Sequence, residues 1–189
     1  YFVLPATIPD YLARTKLDKV PPEHADVRRA EGEVRDRITR LLAVKGKRTV
    51  DSFHRDLGKL VWEYCGMSRT AEGLKHAIAA IPPLRERFWR EVRVPGAGEE
   101  FNQSLERAGR VADFFELGEL ICLDALNRNE SCGGHFREEY QTEEGEAMRD
   151  DDRFCHVAVW EYQGADKPPV LHKEPLVYEE VHMSTRSYK

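Results

Sequence analysis

Hydrophobic residues recur at helical spacing through most of the first 130 residues. Between 23 and 44 the apolar positions fall about 3.6 residues apart, as they do on one face of a helix. The same spacing returns in 50–65, in 70–92 and in 100–129. Because the segments between them are short, consecutive helices are expected to lie side by side in opposite directions. The pattern therefore predicts an antiparallel bundle of three to four long helices, similar to a spectrin repeat.

Polar caps and glycines indicate where these helices begin and end. Thr49 or Asp51 can cap the second helix, and Thr70 can cap the third, because their side chains accept hydrogen bonds from the first free backbone N–H groups. Gly46 is expected to end the first helix and Gly66 the second.

Two adjacent prolines, Pro82 and Pro83, fall inside the third helix. A proline in a helix interior removes one backbone hydrogen bond and clashes with the preceding turn, at a cost of about 3 kcal/mol. We expect two abutting helical pieces or a sharp kink at this point.

The fourth helix is expected to bury one apolar stripe against the bundle. The spacing places these residues inward: Leu105, Ala108, Ala112, Phe115, Leu120, Ile121 and Leu126.

Both ends of the chain differ from the bundle. Residues 1–13 are apolar and contain Pro5 and Pro9, which predicts the end of one helix and a short further turn. Residues 154–162 are rich in β-branched and aromatic side chains, which favours a strand. A second strand is expected within 175–189. The fold class is therefore mainly α, an antiparallel helical bundle with a small extended or β appendage at its C-terminus.

Charge and cysteine content exclude several classes of protein. The net charge is −5, and basic residues are interleaved with acidic ones, so we expect no nucleic-acid partner. The longest apolar runs are far shorter than the roughly 20 residues of a membrane span. No secretory signal is visible at the start of the sequence. Four scattered cysteines without a CxxC pair favour a reducing compartment: Cys65, Cys122, Cys132 and Cys155.

The stretch ESCGGHFREEYQ holds the candidate chemistry. Cys132 and His135 could supply two metal ligands, but zinc requires three or four. Cys132 could also be a nucleophile with His135 as its base, although no third residue is placed to orient the base. The third possibility is a structural role. Gly133 and Gly134 would allow a tight turn where the helix stops, and His135 and Arg137 would anchor this turn by hydrogen bonds. We favour this structural joint, and we predict no catalytic, cofactor-binding or metal-ligating residue in the chain.

Six stretches, taken in order, resemble the C-terminal region of the flavoprotein subunit of succinate dehydrogenase/fumarate reductase. They read LVWEYCGMSRTAEGL, LRERFWREVRVPG, RVADFFELGEL, LNRNESCGGHFREEYQTEEGEAMRDDDRF, LHKEPL and STRSYK. The marks of the family are a W-x-x-C/G-M-x-R helix start and an RxES-x-G-x-H-x-R-E joint. The joint and the TRSYK ending are similar to the branch that pairs with a single diheme cytochrome b subunit. One departure lies in the joint, where Cys132 stands at a position that is arginine in many members.

The resemblance implies a larger enzyme that interconverts succinate and fumarate with FAD. Electrons would pass to an iron–sulfur subunit and on to a quinone, with a cytochrome b membrane anchor as an indirect partner. The subunit would be cytoplasmic, held at the inner face of the cell membrane by its partners. The flavin-binding and substrate-binding motifs of the family would lie upstream of Tyr1. We therefore expect this chain to be a non-catalytic piece of a longer protein that binds no flavin itself.

The resemblance also implies a division of the chain. Residues 1–21 would end the preceding FAD domain and form a linker, 22–130 would form the helical bundle, and 131–189 would form an extended segment with short strands. An inter-domain or subunit interface would include three residues of the joint: His135, Arg137 and Glu138.

Two other hypotheses remain open. The chain could be a free-standing helical protein-interaction module with no enzyme attached. It could also be the C-terminal domain of L-aspartate oxidase, which shares a similar joint and helical region. That family typically lacks the extended region found here from Phe154 to Lys189, which makes it the weaker candidate.

Overall fold

The computed structural model describes residues 2–164 and 167–184. Within these residues the chain forms six helices and two small sheets. In chain order the elements are α1 (Val3–Arg14), α2 (Ala25–Ala43), β1 (Arg48–Thr49), α3 (Val50–Cys65), α4 (Ala71–Glu91), β2 (Val92–Arg93), α5 (Gln103–Asn127), α6 (Asp151–Phe154), β3 (His156–Glu161) and β4 (Val170–Pro175). The predicted fold class is confirmed, and the four long helices lie within about three residues of their expected bounds.

Helices α3 and α4 pack antiparallel. Phe53, near the start of α3, meets Phe88, near the end of α4, with ring centroids 5.4 Å apart. At the other end Tyr64 of α3 lies 4.5 Å from the ring of His76 in α4. The connection between the two helices has five residues, and a connection this short favours antiparallel packing of neighbouring helices.

Helix α5 runs opposite to α4 and therefore in the same direction as α3. Arg85 of α4 pairs with Glu119 at 2.8 Å, and Phe88 meets Phe115 at 5.5 Å. Three phenylalanine rings, Phe53, Phe88 and Phe115, are thus fully buried in contact at the centre of the bundle. Such aromatic pairs add about 0.5–1.5 kcal/mol beyond the area that they bury.

Helix α2 covers α5 from the outside. Arg37 donates to Asp113 at 2.5 Å and to the carbonyl of Gly109 at 3.0 Å. Only Leu41 of α2 is buried, and Val27 and Val34 are exposed. The helix is therefore held mainly through its last turns.

The predicted caps of α3 and α4 are confirmed. Thr49 accepts a hydrogen bond from the backbone N–H of Ser52, and Thr70 accepts one from Gly73. Gly66 is the residue that ends α3, as expected.

Gly46 does not end α2, which stops at Ala43. It lies instead where the chain passes the end of α4: a Cβ on Gly46 would stand 1.8 Å from the carbonyl oxygen of Glu91. Its N–H donates to the carbonyl of Val92 at 3.3 Å. This close approach allows β1 and β2 to pair in parallel, a contact that the sequence did not predict.

The expected division of α4 into two helical pieces at Pro82 and Pro83 is wrong, because α4 continues through both as one helix. The alternative, a kink at this point, stays a prediction. The prolines leave only the carbonyls of Ile78 and Ala79 without their helical donors. Ile81 and Phe88 are buried against α3 and α5, and this packing outweighs the local cost. Helix α1 is likewise a single helix that contains Pro9, rather than a helix end and a further turn.

The inward face of α5 differs from the predicted stripe in one place. Ile121 is 50 % exposed, and Leu120 is only partly buried. Gly118 and Cys122 occupy the inward positions instead. The hydrophobic pattern predicted the wrong residues here, because two small residues, rather than two large apolar ones, continue the buried face of α5.

The C-terminal sheet is a hairpin of β3 and β4, in which Val157 pairs with Glu174 and Val159 with His172. The indole N–H of Trp160 donates to the carboxylate of Asp124 at 2.7 Å, and this bond attaches the hairpin to α5. The second strand precedes its predicted position, since 176–184 contains no strand. The rest of the predicted strand, and with it most of the STRSYK stretch, lies outside the described residues.

Candidate functional site

The joint, residues 128–139, leads the chain away from the end of α5. Cys132 and His135 exchange two backbone hydrogen bonds of 2.8 and 3.0 Å and close a tight turn. Gly133 has a φ of 58°, a left-handed conformation that side chains with a Cβ rarely adopt. The predicted turn is therefore present, and Gly133 is the residue that it requires.

Both ring nitrogens of His135 are occupied. Nδ1 lies 2.9 Å from Nη1 of Arg69, and Nε2 lies 2.9 Å from the carbonyl oxygen of Arg128. A guanidinium can only donate, so Nδ1 accepts and Nε2–H donates, which defines the neutral ring. Burial lowers the pKa of His135, and the positive charges of Arg69, Arg128 and Arg137 act in the same direction, while the bond to the Arg128 carbonyl opposes them. The imidazole is thus a structural contact and has no free nitrogen with which to activate Cys132.

Arg137 lies inside the chain, with 2 % of its surface exposed. Its Nη1 donates to the carbonyls of Ala125 and Leu126 at 2.9 and 3.3 Å. Its Nε donates to Glu139 at 3.0 Å, and the guanidinium lies 5.4 Å from the ring centroid of Tyr140. The last carbonyls of a helix have no partner within the helix. Arg137 supplies that partner and places a positive charge at the negative end of α5.

Two further buried side chains fasten the joint. Ser131 donates to the carbonyl of Arg137 at 3.1 Å and accepts from its N–H at 2.9 Å. Glu130, which is 2 % exposed, accepts from Arg128 at 2.7 Å and from the backbone N–H of Asp150 at 2.8 Å. No buried polar side-chain atom within the described residues lacks a hydrogen-bond partner.

The joint also fastens the connection between α3 and α4. Arg69 donates its N–H to the carbonyl of Phe136 at 3.2 Å and accepts from the N–H of Glu138 at 2.9 Å. Ser68 donates its hydroxyl to Glu138 at 2.6 Å. The start of α4 and the end of α5 are thus held together by a segment that follows both of them in the chain.

Glu139 completes this contact at the first turn of α4. Its carboxylate accepts from the N–H of Ala71 at 2.5 Å. Burial works against the charged form, but the hydrogen bonds from the backbone N–H of Ala71 and from Arg137 lower the pKa of Glu139. A negative charge at this position is also favoured by the dipole of α4.

The structure brings His135, Arg137 and Glu138 to one place but gives them different environments. His135 is half-buried, Arg137 is buried, and Glu138 is exposed. An interface at His135 and Glu138 stays a prediction. For Arg137 the contacts favour a role inside the chain. Arg69, the partner of His135 that sequence analysis missed, lies 66 residues away along the chain, so no local pattern could have identified it.

The arrangement of the joint offers hydrogen bonds and fixed charges. No group of three metal-ligating side chains lies together in the part of the chain that the structure describes. The helices of that part include none that combines the length and the hydrophobicity needed to cross a bilayer.

Comparison with known proteins identifies the kind of region that this fold represents. The sequence profile of the family described as "Fumarate reductase flavoprotein C-term" matches residues 54–188. The fumarate reductase flavoprotein subunit of Proteus vulgaris is 28 % identical over 137 residues, which cover 71 % of this chain and 22 % of that protein. The L-aspartate oxidase of Synechocystis is 24 % identical over 139 residues, 67 % of this chain and 24 % of the oxidase.

Solved structures show the same fold. A chain of E. coli quinol fumarate reductase superposes with a TM-score of 0.73 at 24 % identity, covering 96 % of this chain and 29 % of that one. The chain thus spans about a quarter of the length of the relatives that it matches.

Proposed function

The chain belongs to the fumarate reductase flavoprotein C-terminal family, and we propose that it serves as the helical C-terminal region of a flavoprotein subunit that interconverts succinate and fumarate. The profile match over residues 54–188 carries this proposal, because it includes most of the helical core and the whole joint. In the whole protein, FAD supplies the site that takes up or releases a hydride.

We propose that no flavin binds to this chain, because the sequence contains no phosphate-binding glycine motif such as GxGxxG. In the turn VPGAGEE, a Cβ on Gly96 would stand 2.6 Å from the amide nitrogen of Asn102. That amide donates to the carbonyl of Pro95 at 2.8 Å and closes the loop. We therefore assign the flavin and the reaction to a domain outside this chain.

The role that we assign to the chain is rigid docking. The buried side chains of the joint hold the ends of α4 and α5 in one geometry. Helix α1 has no buried residue, and its apolar side chains Leu4, Ile8 and Leu12 recur on one face. We propose that this face packs on the flavin domain, with residues 1–21 as the link, 22–130 as the bundle and 131–189 as the C-terminal segment.

The further partners follow from the family. We propose an iron–sulfur subunit as the electron acceptor and a cytochrome b anchor as an indirect partner, which would hold the subunit at the cytoplasmic face of the membrane. Exposed Glu138 and half-buried His135 would lie at an inter-domain or subunit contact.

The docking role can be tested with two substitutions in the full-length flavoprotein. Ile8→Asp places a charge on the exposed face of α1, whereas Val34→Asp places one on an equally exposed position of α2. We expect Ile8→Asp to lower the yield of flavin-loaded enzyme and Val34→Asp to leave it unchanged. Equal yields from the two variants would show that α1 does not dock.

L-aspartate oxidase is the second candidate, because its Synechocystis member matches 67 % of this chain. The substrate of the purified full-length enzyme separates the two. Reduction of a dye by succinate, and not by L-aspartate, is the expected result. Oxidation of L-aspartate alone would assign the chain to the other enzyme.

A further inference from the structure

Two cysteines lie in the core where α3 and α5 approach each other. Cys65 belongs to the last turn of α3, and Cys122 lies in the second half of α5. Both are free thiols, with 6 % and 0 % of their surfaces exposed. Neither cysteine takes part in the joint or in the proposed docking surface, so their thiols have no role so far beyond packing in the core.

The two cysteines lie one helical turn beyond a close contact between α3 and α5. A Cβ on Gly118 would lie 3.5 Å from Val61 and 3.7 Å from Leu57, so α5 meets α3 at this glycine. The two helices run in the same direction, and four residues further along each helix are Cys65 and Cys122. A disulfide needs Cα atoms about 4.4–6.8 Å apart, and facing positions beside a glycine contact are where helices come closest.

The thiols also influence each other. A hydrogen bond from Cys122 lowers the pKa of Cys65 to about 7, against the effect of burial and with help from the positive charge of Arg69. The same contact, together with burial, raises the pKa of Cys122. Cys65 is thus the thiol that ionises first, and it is also the less completely buried of the two.

We propose that Cys65 and Cys122 are a redox pair that hydrogen peroxide closes into a disulfide between α3 and α5. The Cys65 thiolate attacks one oxygen of the peroxide, the O–O bond breaks, and hydroxide leaves. The sulfenic acid formed on Cys65 is then attacked by the sulfur of Cys122. The S–O bond breaks, and water leaves with the proton of the Cys122 thiol. Two thiols are oxidised and one peroxide is reduced to water.

The disulfide would lock the end of α3 in its position on α5. Arg69, four residues after Cys65, is the residue that contacts His135 and Phe136 of the joint. The cross-link therefore ties the connection between α3 and α4 to the helix whose end the joint caps. We expect oxidation to raise the thermal midpoint of the chain, since a cross-link restricts the unfolded state.

The test uses the chain with its half-exposed cysteines removed by Cys132→Ser and Cys155→Ser. This protein is treated with hydrogen peroxide under native conditions, alkylated and digested. Mass spectrometry is then used to search for the peptide that joins Cys65 to Cys122. We expect this peptide, with the loss of both thiols, and we expect dithiothreitol to restore them. Cys65→Ala or Cys122→Ala should abolish the intramolecular cross-link.

The unsubstituted chain provides the control for folding and reactivity. If peroxide oxidises Cys132 and Cys155 there while Cys65 and Cys122 remain alkylatable after unfolding, the proposal is overturned. It is equally overturned if Cys65 proceeds to the sulfinic acid while Cys122 stays a thiol, or if the cross-link forms only in denaturant.

Discussion

The buried guanidinium of Arg137 acts as a cap for the C-terminus of α5. It is 2 % exposed, and it reaches the carbonyls of Ala125 and Leu126 as well as Glu139. The sequence alone predicts that Arg137 anchors the joint and lies at an interface. The contacts assign it a role in the fold, because removing a buried donor leaves helix carbonyls without a partner.

Arg137→Ala should therefore destabilise the isolated chain by about 1–3 kcal/mol, the usual penalty for an unsatisfied buried polar group. The free energy of unfolding in urea is the quantity to measure. Arg35→Ala is the matched control, because Arg35 is exposed on α2 and makes only a surface ion pair with Glu31, which is worth about 0–1 kcal/mol. Equal losses in the two variants would place the role of Arg137 outside the fold.

The environment of His135 predicts that the free energy of unfolding falls as the pH is lowered. Its pKa is lowered in the folded chain from an ordinary value of 6.5, so the unfolded chain takes up a proton first as the pH falls. The stabilisation from the neutral ring is complete above pH 6.5 and is lost as the pH falls from there toward the folded pKa. Protonation would place a hydrogen on Nδ1, opposite the guanidinium of Arg69.

Unfolding free energies from about pH 7.5 to 5.5 should consequently fall more steeply for the wild type than for His135→Gln. Glutamine can accept from Arg69 and donate to the Arg128 carbonyl, and it does not titrate. All other ionisable groups are the same in both proteins, so the difference between the curves isolates His135. Parallel curves would show that burial and the neighbouring guanidinium groups do not lower the pKa of His135 in the folded chain.

At the scale of elements, the predictions that the structure confirms depend mostly on interactions between residues close together in the sequence. Thr49 and Thr70 cap their helices because a cap depends on the next three residues, which are visible in the sequence. The continuity of α4 through Pro82 and Pro83 depends on burial against other helices, which no local pattern reveals. The same is true of the joint, where Arg69 and His135 meet across 66 positions of the chain.

Gly46 gives a test of one such long-range contact. A Cβ there would stand 1.8 Å from the carbonyl oxygen of Glu91, so Gly46→Ala forces the connection before β1 away from the end of α4. Gly32 in α2 has nothing within 4 Å of the same position, and Gly32→Ala should stabilise the chain by roughly 0.5–1 kcal/mol through helix propensity. Thermal unfolding should show midpoint shifts of opposite sign. A rise in both would mean that β1 and β2 do not pair as described.

At the scale of the whole molecule, the apolar side chains of α1 stand apart from the core. Leu4, Ile8 and Leu12 are 66 %, 53 % and 54 % exposed, and they are spaced four residues apart. Spacing of this kind forms one continuous face of a helix. A contiguous exposed apolar face commonly marks a contact with another protein surface. Among the described residues the buried apolar core, in contrast, is drawn from α2 to α5 and their connections, with only Phe154 beyond them.

The isolated chain should accordingly associate weakly with itself through α1. Sedimentation velocity over a range of concentrations should show a monomer that gives way to larger species, because the exposed face of one copy can cover that of another. Ile8→Asp should shift this equilibrium back to the monomer, whereas Val34→Asp, at a position of similar exposure on α2, should not. Neither substitution touches a buried residue, so circular dichroism should be the same for all three proteins.

A wild-type chain that stays monomeric at the highest concentration, or an Ile8→Asp variant that associates as strongly as the wild type, would show that the α1 face is not a contact surface. The packing of α1 on a flavin domain would then need a different face of the chain.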